Sequence, residues 1–594
     1  MLVVVVLLSL APSAGQAAEY SLGALREVAA SGAPGLALAL MNDSQPAAAD
    51  APDAWAEWER TRIEILAGAR AWRRAIDRLQ SLPAAAPETF RRWALERRAA
   101  FLLELDAPSA ARALLRQLLW SAGPGADADE LRGWRRLVVR SYLVEGRVDD
   151  AVTALRRFDQ DYHDTSSAWA VLRTRVLLRA GRADEAAARL PEDQDDPELA
   201  ALALLARLRA GQVPPAAAWH RATEAAQLDG TAPQSAARMW FVAAQAAGAQ
   251  SSPAERALAT ERAAALATSL PASDNLFAIH GDALWSAWLA YGTWVGNNRQ
   301  LLIGDDTAWF KAASDSMPRY PVRARSLLAV VSQQGEAGAR RRAHERLVSL
   351  LAEGEPGMAA ARQAYLHASR YPTTASIPEN VRYRLVDDAL ARDDLDLATR
   401  LLAELRQAPE DVDPFDWQLL RARVLVLGGR TDDGAAALNA ILGDNPDLSG
   451  KALDRFLQVV FDLQGANEDK AALRLLQRLS LRELPGQRQR ELLYWRAESQ
   501  ESLERYERAA ELYLRSATLL DGRGGDPWGQ TARYHAAGML AKAGLISDAR
   551  RIYQDLLRVT DDKNRRATLR HRLQQLGLRE AAPGNLPPEA GSGS

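Results

Sequence analysis

Few residues of this chain have the types and spacing that catalysis or metal binding requires. Its seven histidines never pair at i, i+4, and no His-Glu-x-x-His helix that could hold zinc occurs. The 594-residue chain has no cysteine, which excludes disulfides, thiolate zinc sites and cysteine nucleophiles. It also has neither a P-loop nor a Gly-x-Ser-x-Gly nucleophile elbow. We therefore predict that the protein is not an enzyme and has no catalytic residues, no metal and no cofactor.

The residues best suited to binding lie in a tryptophan-rich segment, residues 283–310. Four aromatic residues recur there at a spacing of three, which places them in a stripe along one helix. The predicted binding residues are these four and four that follow them: Trp285, Trp288, Tyr291, Trp294, Arg299, Asp305, Asp306 and Trp309.

Two interpretations of this segment stay open. It is either a structural joint packed by aromatic rings or a recognition site on a concave surface. In a recognition site, the aromatic faces would take a peptide side chain or a sugar ring, and the arginine and aspartates would supply polar contacts. Aromatic and arginine side chains carry much of the binding energy at interfaces. The adjacent Asp305 and Asp306 lack the further ligands at loop spacing that calcium needs.

The elements that would position these residues are clearest near the C-terminus, in residues 492–562. A helical run over 492–503 is followed by the polar break Glu504-Arg505 and by a second run over 506–520. In the next pair of helices, Gly544 stands where glycine can close a helix in the left-handed conformation. The spacing therefore predicts two helical hairpins side by side.

Small residues and tyrosines recur in these hairpins at fixed spacing. Each hairpin has a small residue on its first helix, a small residue twelve positions later and a tyrosine four beyond that: Ala497, Ala509 and Tyr513, then Ala537, Ala549 and Tyr553. This pattern resembles that of the tetratricopeptide repeat (TPR) family. The resemblance implies an all-α fold, a superhelical solenoid of antiparallel helical hairpins.

The small residue of the second helix also recurs along the rest of the chain, and its recurrence measures the length of the repeat. Candidate anchors recur at intervals of 35 to 41 residues in two runs: Ala75, Ala110, Ala151 and Ala186, then Ala398, Gly434, Ala472, Ala509 and Ala549. Turn glycines precede several of them: Gly146, Gly181 and Gly429. A period near 34 with a helix–turn–helix unit is typical of such solenoids.

Composition and charge agree with a helical protein. Charged residues make up 25% and hydrophobic residues 48% of the chain, as is usual for a globular protein. No stretch combines alternation with β-branched residues, so we expect essentially no sheet. A net charge of −2 lacks the basic surplus of nucleic-acid binders, so we expect no nucleic-acid partner.

The N-terminus has the pattern of a secretory signal peptide. An apolar run over residues 2–10 is followed by Pro12 and small residues through Ala18, although no Lys or Arg precedes it. The run is shorter than the roughly 20 residues that a transmembrane helix needs. The alternative is an apolar first helix of the solenoid. Because no cysteine could carry a lipid anchor, export would predict a periplasmic protein.

We predict six segments along the chain. They are a signal peptide (1–18), an N-terminal helix and linker (19–54), N-terminal TPR-like repeats (55–210), an irregular helical middle that includes the tryptophan-rich segment (211–380), C-terminal TPR-like repeats (381–578) and a disordered tail (579–594).

These features favour a non-catalytic scaffold of the bacterial cell envelope that binds a protein or peptide on a concave surface, with a glycan as a further candidate ligand. The alternative is a peptidoglycan- or glycan-processing factor, since soluble lytic transglycosylases also carry superhelical α-domains. Their Glu-Ser motif has counterparts at Glu498-Ser499 and Glu501-Ser502, but both lie inside a repeat helix and lack the following aromatic residue. A cytoplasmic adaptor is the third possibility.

Overall fold

The computed structural model describes residues 20–580 except 124–126, 192–193, 272–273, 355–356, 410–411, 446–447, 482–483 and 523–524. The predicted signal peptide and residues 581–594 of the predicted tail lie outside the described residues. The described part contains helices, turns and loops but no β-strand. The predicted all-α fold of sequential hairpins is therefore confirmed.

The chain divides into two compact units. The first unit comprises residues 1–335 and 350–367, and the second comprises 336–349 and 368–594. The segment boundaries predicted inside the chain stay a prediction.

Among its described residues, the first unit has eighteen α-helices up to residue 335 and, after residue 349, the end of α19 and the whole of α20. Their bounds are α1 Leu22–Ala30, α2 Pro34–Ser44, α3 Pro52–Gly68, α4 Trp72–Gln80, α5 Glu88–Glu104, α6 Pro108–Ser121, α7 Ala128–Val144, α8 Val148–Asp161, α9 Ser167–Arg179, α10 Ala183–Ala188, α11 Pro197–Arg209, α12 Pro215–Gln227, α13 Pro233–Ala249, α14 Pro253–Ala265, α15 Gly281–Val295, α16 Asn298–Leu302, α17 Asp306–Asp315, α18 Pro321–Gln334, α19 Ala337–Ala352 and α20 Met358–Leu366.

The described residues of the second unit contain the first part of α19 and eleven further α-helices. Their bounds are α21 Glu379–Ala391, α22 Leu395–Ala403, α23 Pro414–Leu427, α24 Thr431–Asp444, α25 Gly450–Gly465, α26 Asp469–Arg478, α27 Gly486–Ser502, α28 Tyr506–Thr518, α29 Pro527–Lys542, α30 Ile546–Val559 and α31 Lys563–Glu580. Successive helices pack as hairpins from α21/α22 to α29/α30, and α31 packs on α30.

The residues of the predicted TPR-like motif form the core between the last hairpins. Ala497, Ala509 and Tyr513 are buried in one cluster with their counterparts Ala537 and Ala549. Alanine lets two helix backbones approach closely, and the tyrosine ring fills the space beside them. The sequence motif therefore reports the helix packing that the structure shows.

Every predicted anchor residue except one is buried, as the repeat pattern requires. Ala75, Ala151, Ala186, Ala398, Gly434, Ala472, Ala509 and Ala549 are all buried. Ala110 is exposed, and the neighbouring Ala111 is fully buried on α6 instead. A one-residue shift turns a side chain by about 100° around a helix, so only one of two adjacent alanines faces the core.

One turn geometry closes every hairpin of the described repeats. The residue between the two helices has positive φ in all twelve hairpins from α1/α2 to α13/α14 and from α21/α22 to α29/α30. It is Gly32, Arg70, Asp106, Gly146, Gly181, Gly211, Ser251, Asp393, Gly429, Asn467, Glu504 or Gly544. The N–H after the turn donates to a carbonyl five residues back, as from Arg147 to Tyr142 at 3.0 Å. This is the Schellman arrangement, which satisfies the last carbonyls of the first helix.

Arginine side chains satisfy the carbonyls at the ends of second helices. The Arg496 guanidinium on α27 donates to the Leu476 carbonyl at 2.6 Å and to the Leu479 carbonyl at 3.1 Å. Arg421 on α23 donates in the same way to the Leu402 carbonyl at 3.2 Å. The last carbonyls of a helix have no partner inside it, so these two arginines fasten their hairpins to the preceding ones.

Candidate functional site

The structure places the two central tryptophans of the predicted binding stripe in the interior of the first unit. Trp285 and Trp288 lie on α15 and are both 0% exposed. The Trp285 indole Nε1 donates to the Ala364 carbonyl of α20 at 2.7 Å. The Trp288 Nε1 donates to a Glu261 carboxylate oxygen of α14 at 3.0 Å. Each ring therefore packs α15 against a neighbouring helix.

Trp288 belongs to a buried polar cluster. Arg325 of α18 donates from Nε to the same Glu261 oxygen at 2.9 Å, and its Nη2 bonds the other oxygen. Both charged side chains are almost fully buried. A buried carboxylate needs such pairing because it has lost its hydration. The cluster therefore fixes α14, α15 and α18 relative to one another.

Trp309 and the two aspartates are also structural. The Trp309 ring is 2% exposed and packs so closely on Gly296 that a Cβ there would collide with it. Its Nε1 donates to the Asn297 carbonyl at 3.2 Å. Asp305 caps α17 by accepting a hydrogen bond from the Ala308 N–H at 3.2 Å, and Asp306 is buried. These contacts hold the loop between α15 and α17.

Only part of the predicted stripe is exposed. The Trp294 side chain is 68% exposed and stacks on Tyr291, with ring centroids 6.1 Å apart. Arg299 is exposed on α16. Because a buried side chain cannot meet a ligand, the predicted binding residues that remain accessible are Tyr291, Trp294, Arg299 and Asp305. Their role in binding stays a prediction.

The sequence did not predict the cavities of the second unit. One cavity of about 360 Å³ lies between α29 and α31 over the end of α30. Apolar side chains such as Leu556 and Leu569 line it together with Thr531, Tyr534 and Arg565. A neighbouring cavity of about 310 Å³ shares Tyr534 and also lies between α29 and α31.

The second of these cavities has a polar wall. Lys542 bonds the Glu501 carboxylate at 3.1 Å, and the Tyr513 hydroxyl donates to the same carboxylate at 3.1 Å. Burial raises the pKa of the Tyr513 hydroxyl, and the nearby Glu501 raises it further. Arg572 donates to the Tyr534 hydroxyl at 3.3 Å. The charged groups of this wall are therefore engaged with one another.

A third cavity, of about 380 Å³, lies between α23 and α25. Leu419, Leu420 and Val459 form part of its lining. Ion pairs between first helices neutralise its rim: Arg455 pairs with Asp416, and Arg488 of α27 pairs with Asp454 at 2.6 Å. This cavity thus opens between the first helices of two successive hairpins, and the other two open between the first helix of the last hairpin and the terminal helix α31. The residues that line them come from helices about 40 positions apart, so no local motif indicates them.

The Glu-Ser pair at 498–499 is part of the helix packing. Ser499 is fully buried, and its hydroxyl accepts a hydrogen bond from the Gln464 side chain at 2.8 Å. Burial raises the pKa of the Glu498 carboxyl, and Glu501 and Asp469 raise it further. Across the described ranges, no group of three or more His, Asp or Glu side chains is arranged to hold a metal ion. No helix in that part of the chain is long and apolar enough to cross a membrane.

Similarity to known proteins is found among solved structures. No protein family matches the sequence. No curated protein matches it either. Among solved structures, the Cut9–Hcn1 hetero-tetramer of the APC/C has 12% identity and a TM-score of 0.30, over 93% of this chain and 95% of that chain. Yeast Tom70 has 10% identity and a TM-score of 0.22, over 90% of this chain and 98% of that chain. By the geometry of its own hairpins, the chain is an all-α protein of TPR-like helical repeats.

Proposed function

We propose that this protein is a non-catalytic scaffold that binds a peptide or protein partner across the first helices of its second unit. The observation that carries the proposal is the common position of the three cavities. Each opens between the first helix of a hairpin and the next helix but one, either α23 and α25 or α29 and α31. A row of hairpins offers such grooves side by side, which suits an extended or helical ligand.

The chemistry of the grooves favours a partner with apolar anchors. The groove between α23 and α25 has leucine and valine in its lining, and the charges of its rim are paired within the protein. Paired charges offer little long-range attraction, so the binding energy would come from apolar side chains and hydrogen bonds. Small clusters of buried contacts usually carry most of the energy at an interface.

We also propose that the protein is exported and acts in the cell envelope. This proposal rests on the apolar run and small residues at 2–18 and on the absence of cysteine. N-terminal sequencing of the protein isolated from cells tests it. A mature N-terminus near Ala18 would support export, and an intact Met1 would favour the cytoplasmic adaptor.

Two leucines on one helix make a matched test of the binding proposal. Leu420 lines the groove between α23 and α25, whereas Leu427 lies on α23 but does not line it. Their side chains are 38% and 51% exposed, so Leu420→Glu and Leu427→Glu should both fold. A partner would be identified by pull-down from envelope extract, purified and titrated against both variants.

We expect Leu420→Glu to weaken binding of the purified partner at least tenfold and Leu427→Glu to leave it within twofold of the native value. The variant Thr568→Glu tests the groove between α29 and α31 in the same way. Equal affinity for the native protein and both groove variants would overturn the assignment of the binding face.

A further inference from the structure

The first unit presents an apolar tip at the end of α16. Leu302 and Ile303 are adjacent, and their side chains are 86% and 80% exposed. The turn continues through the exposed Gly304, whose φ is 80°. Single exposed leucines are common on proteins, but two adjacent aliphatic side chains this exposed form an apolar point. Covering these two side chains with an apolar medium lowers the free energy of the system.

Amphipathic aromatic side chains lie in the same segment. Trp294 is 68% and Tyr320 is 49% exposed. Tyr291 stacks on Trp294. Burial raises the pKa of the Tyr291 hydroxyl, the charge of Arg323 lowers it, and Tyr320 raises it. These electrostatic effects require the three side chains to be near one another. Tryptophan and tyrosine favour the boundary between water and an apolar phase, because each has an apolar ring and a polar group.

The exposed charges of this segment are mainly positive. Between residues 291 and 320, the exposed charged side chains are Arg299, Lys311, Arg319 and Asp315. The other two acidic residues are less accessible: Asp305 is half-buried as the cap of α17, and Asp306 is buried. Basic side chains therefore outnumber acidic ones among the exposed charged residues of this segment.

We propose that this surface, which we call the apolar tip surface (Trp294, Arg299, Leu302, Ile303, Lys311, Arg319 and Tyr320), docks reversibly on an anionic lipid bilayer. Leu302 and Ile303 enter the boundary of the acyl chains, and Trp294 and Tyr320 lie at the level of the headgroups. The three cations meet the lipid phosphates. Apolar insertion and electrostatic attraction act together in such peripheral binding.

A single cysteine reports insertion directly, because the chain has none of its own. The variant Ile303→Cys would carry an environment-sensitive NBD label. The control is Leu228→Cys, at a site in the first unit that is 68% exposed. Each labelled protein would be mixed with vesicles of phosphatidylcholine alone or with 30% phosphatidylglycerol. We expect a blue shift and a gain of intensity only for the label at 303 and only with the anionic vesicles.

A second measurement uses vesicle co-sedimentation and the double variant L302S/I303S, with L228S as control. We expect at least a tenfold loss of binding for the double variant and none for the control. Raising the salt to 0.5 M should weaken native binding, since screening shortens the reach of the cations. Unchanged helical content in far-UV circular dichroism would show that both variants fold.

Three results would overturn the proposal. The first is native protein that binds neither vesicle, and the second is a label at 228 that responds as strongly as the label at 303. The third is a double variant that sediments like the native protein. If the double variant loses only the capture of a protein partner, the tip is a protein contact and the lipid assignment is wrong.

Discussion

At the scale of single residues, side chains that belong to the same sequence pattern differ in how deeply they are buried. Trp288 and Trp294 are six positions apart in one aromatic stripe, yet one is 0% and the other 68% exposed. The difference follows from their partners. The indole of Trp288 donates to the buried Glu261, whereas Trp294 stacks on Tyr291 at the surface. Sequence spacing gives the helix face but not what covers it.

The two tryptophans should therefore respond differently to substitution. Trp288→Phe removes the hydrogen bond to the buried Glu261 carboxylate and leaves space in the core, so we expect a loss of about 2–4 kcal/mol in the free energy of unfolding. Trp294→Ala should change it by about 0.5 kcal/mol or less. Thermal unfolding followed by circular dichroism measures both. Equal losses would show that the burial of Trp288 does not determine its contribution.

The buried His344 predicts an acid-sensitive second unit. This side chain on α19 is 6% exposed, and burial, Arg370 and Arg340 lower its pKa from 6.5 to about 4. The unfolded chain binds the proton near pH 6.5 and the folded chain only near 4. The stabilising contribution is thus present above pH 6.5 and is lost as the pH falls toward 4. At about 1.4 kcal/mol for each pKa unit, the loss is roughly 3 kcal/mol.

The variant His344→Leu isolates this effect. It keeps an apolar side chain in the buried site and has nothing to protonate. We expect its unfolding free energy to fall less steeply than that of the native protein between pH 6.5 and 4, as measured by urea titration at fixed pH values. His571, which is exposed on α31, provides the control. A native-like pH slope in His344→Leu would assign the acid sensitivity to other groups.

At the scale of elements, the hairpin turn stabilises the repeat even where glycine is absent. Six of the twelve turns place a residue other than glycine at positive φ, among them Glu504 with φ 58°. The left-handed conformation costs such residues about 1–2 kcal/mol. The turns persist because their hydrogen bonds satisfy the ends of the first helices and because the hairpins pack on both sides.

Glu504→Gly should accordingly stabilise the protein by up to about 1 kcal/mol, because it removes the strain while Glu504 itself is exposed. The matched change in the next hairpin is Gly544→Ala, at φ 85° with open space around the position of the added Cβ. It should destabilise by about 1 kcal/mol from backbone strain alone. Thermal midpoints of the two variants should shift in opposite directions. A lower midpoint for Glu504→Gly would contradict the strain argument.

The same turns explain how much of the architecture could be predicted. Glycine indicates a turn in the sequence where it occupies the position of positive φ, because it adopts that conformation readily. The turns at Gly146, Gly181, Gly429 and Gly544 are of this kind. Arg70 occupies an equivalent turn without any local signal, since packing rather than propensity holds it there. The anchor predicted at Ala110 was wrong: the adjacent Ala111 is the buried residue, and spacing alone does not distinguish two neighbouring alanines. The hairpins were therefore predictable, but their register and the grooves between distant helices were not.

At the scale of the whole molecule, contacts are mostly between neighbours in the chain. In the second unit, helices pack on the next helix or the next but one, as α23 does on α24 and α25, whereas α14 and α15 of the first unit also pack on α18 and α20. The stability of such an array is a sum of local terms, so parts of it can unfold separately. Because the chain divides into two compact units, we expect the two units to be the parts that unfold separately.

Two spectroscopic probes should consequently disagree on the unfolding of this protein. Of its 16 tryptophans, all but Trp417, Trp495 and Trp528 lie in the first unit. Tryptophan fluorescence therefore reports mainly on that unit, whereas far-UV circular dichroism reports on the helices of both. We expect urea titrations with the two probes to give different midpoints and the dichroism curve to be broader. Each unit would then lose its structure at its own urea concentration.

The variant Trp288→Phe tells the two transitions apart. Its substitution lies in the first unit, so it should lower the fluorescence midpoint and shift only part of the dichroism curve. Coincident curves for the native protein, which shift together in the variant, would instead mean that the chain unfolds as one cooperative body. Packing between neighbouring helices would then not account for the stability of the chain, because the unfolding of one hairpin would have to be coupled to the unfolding of all the others.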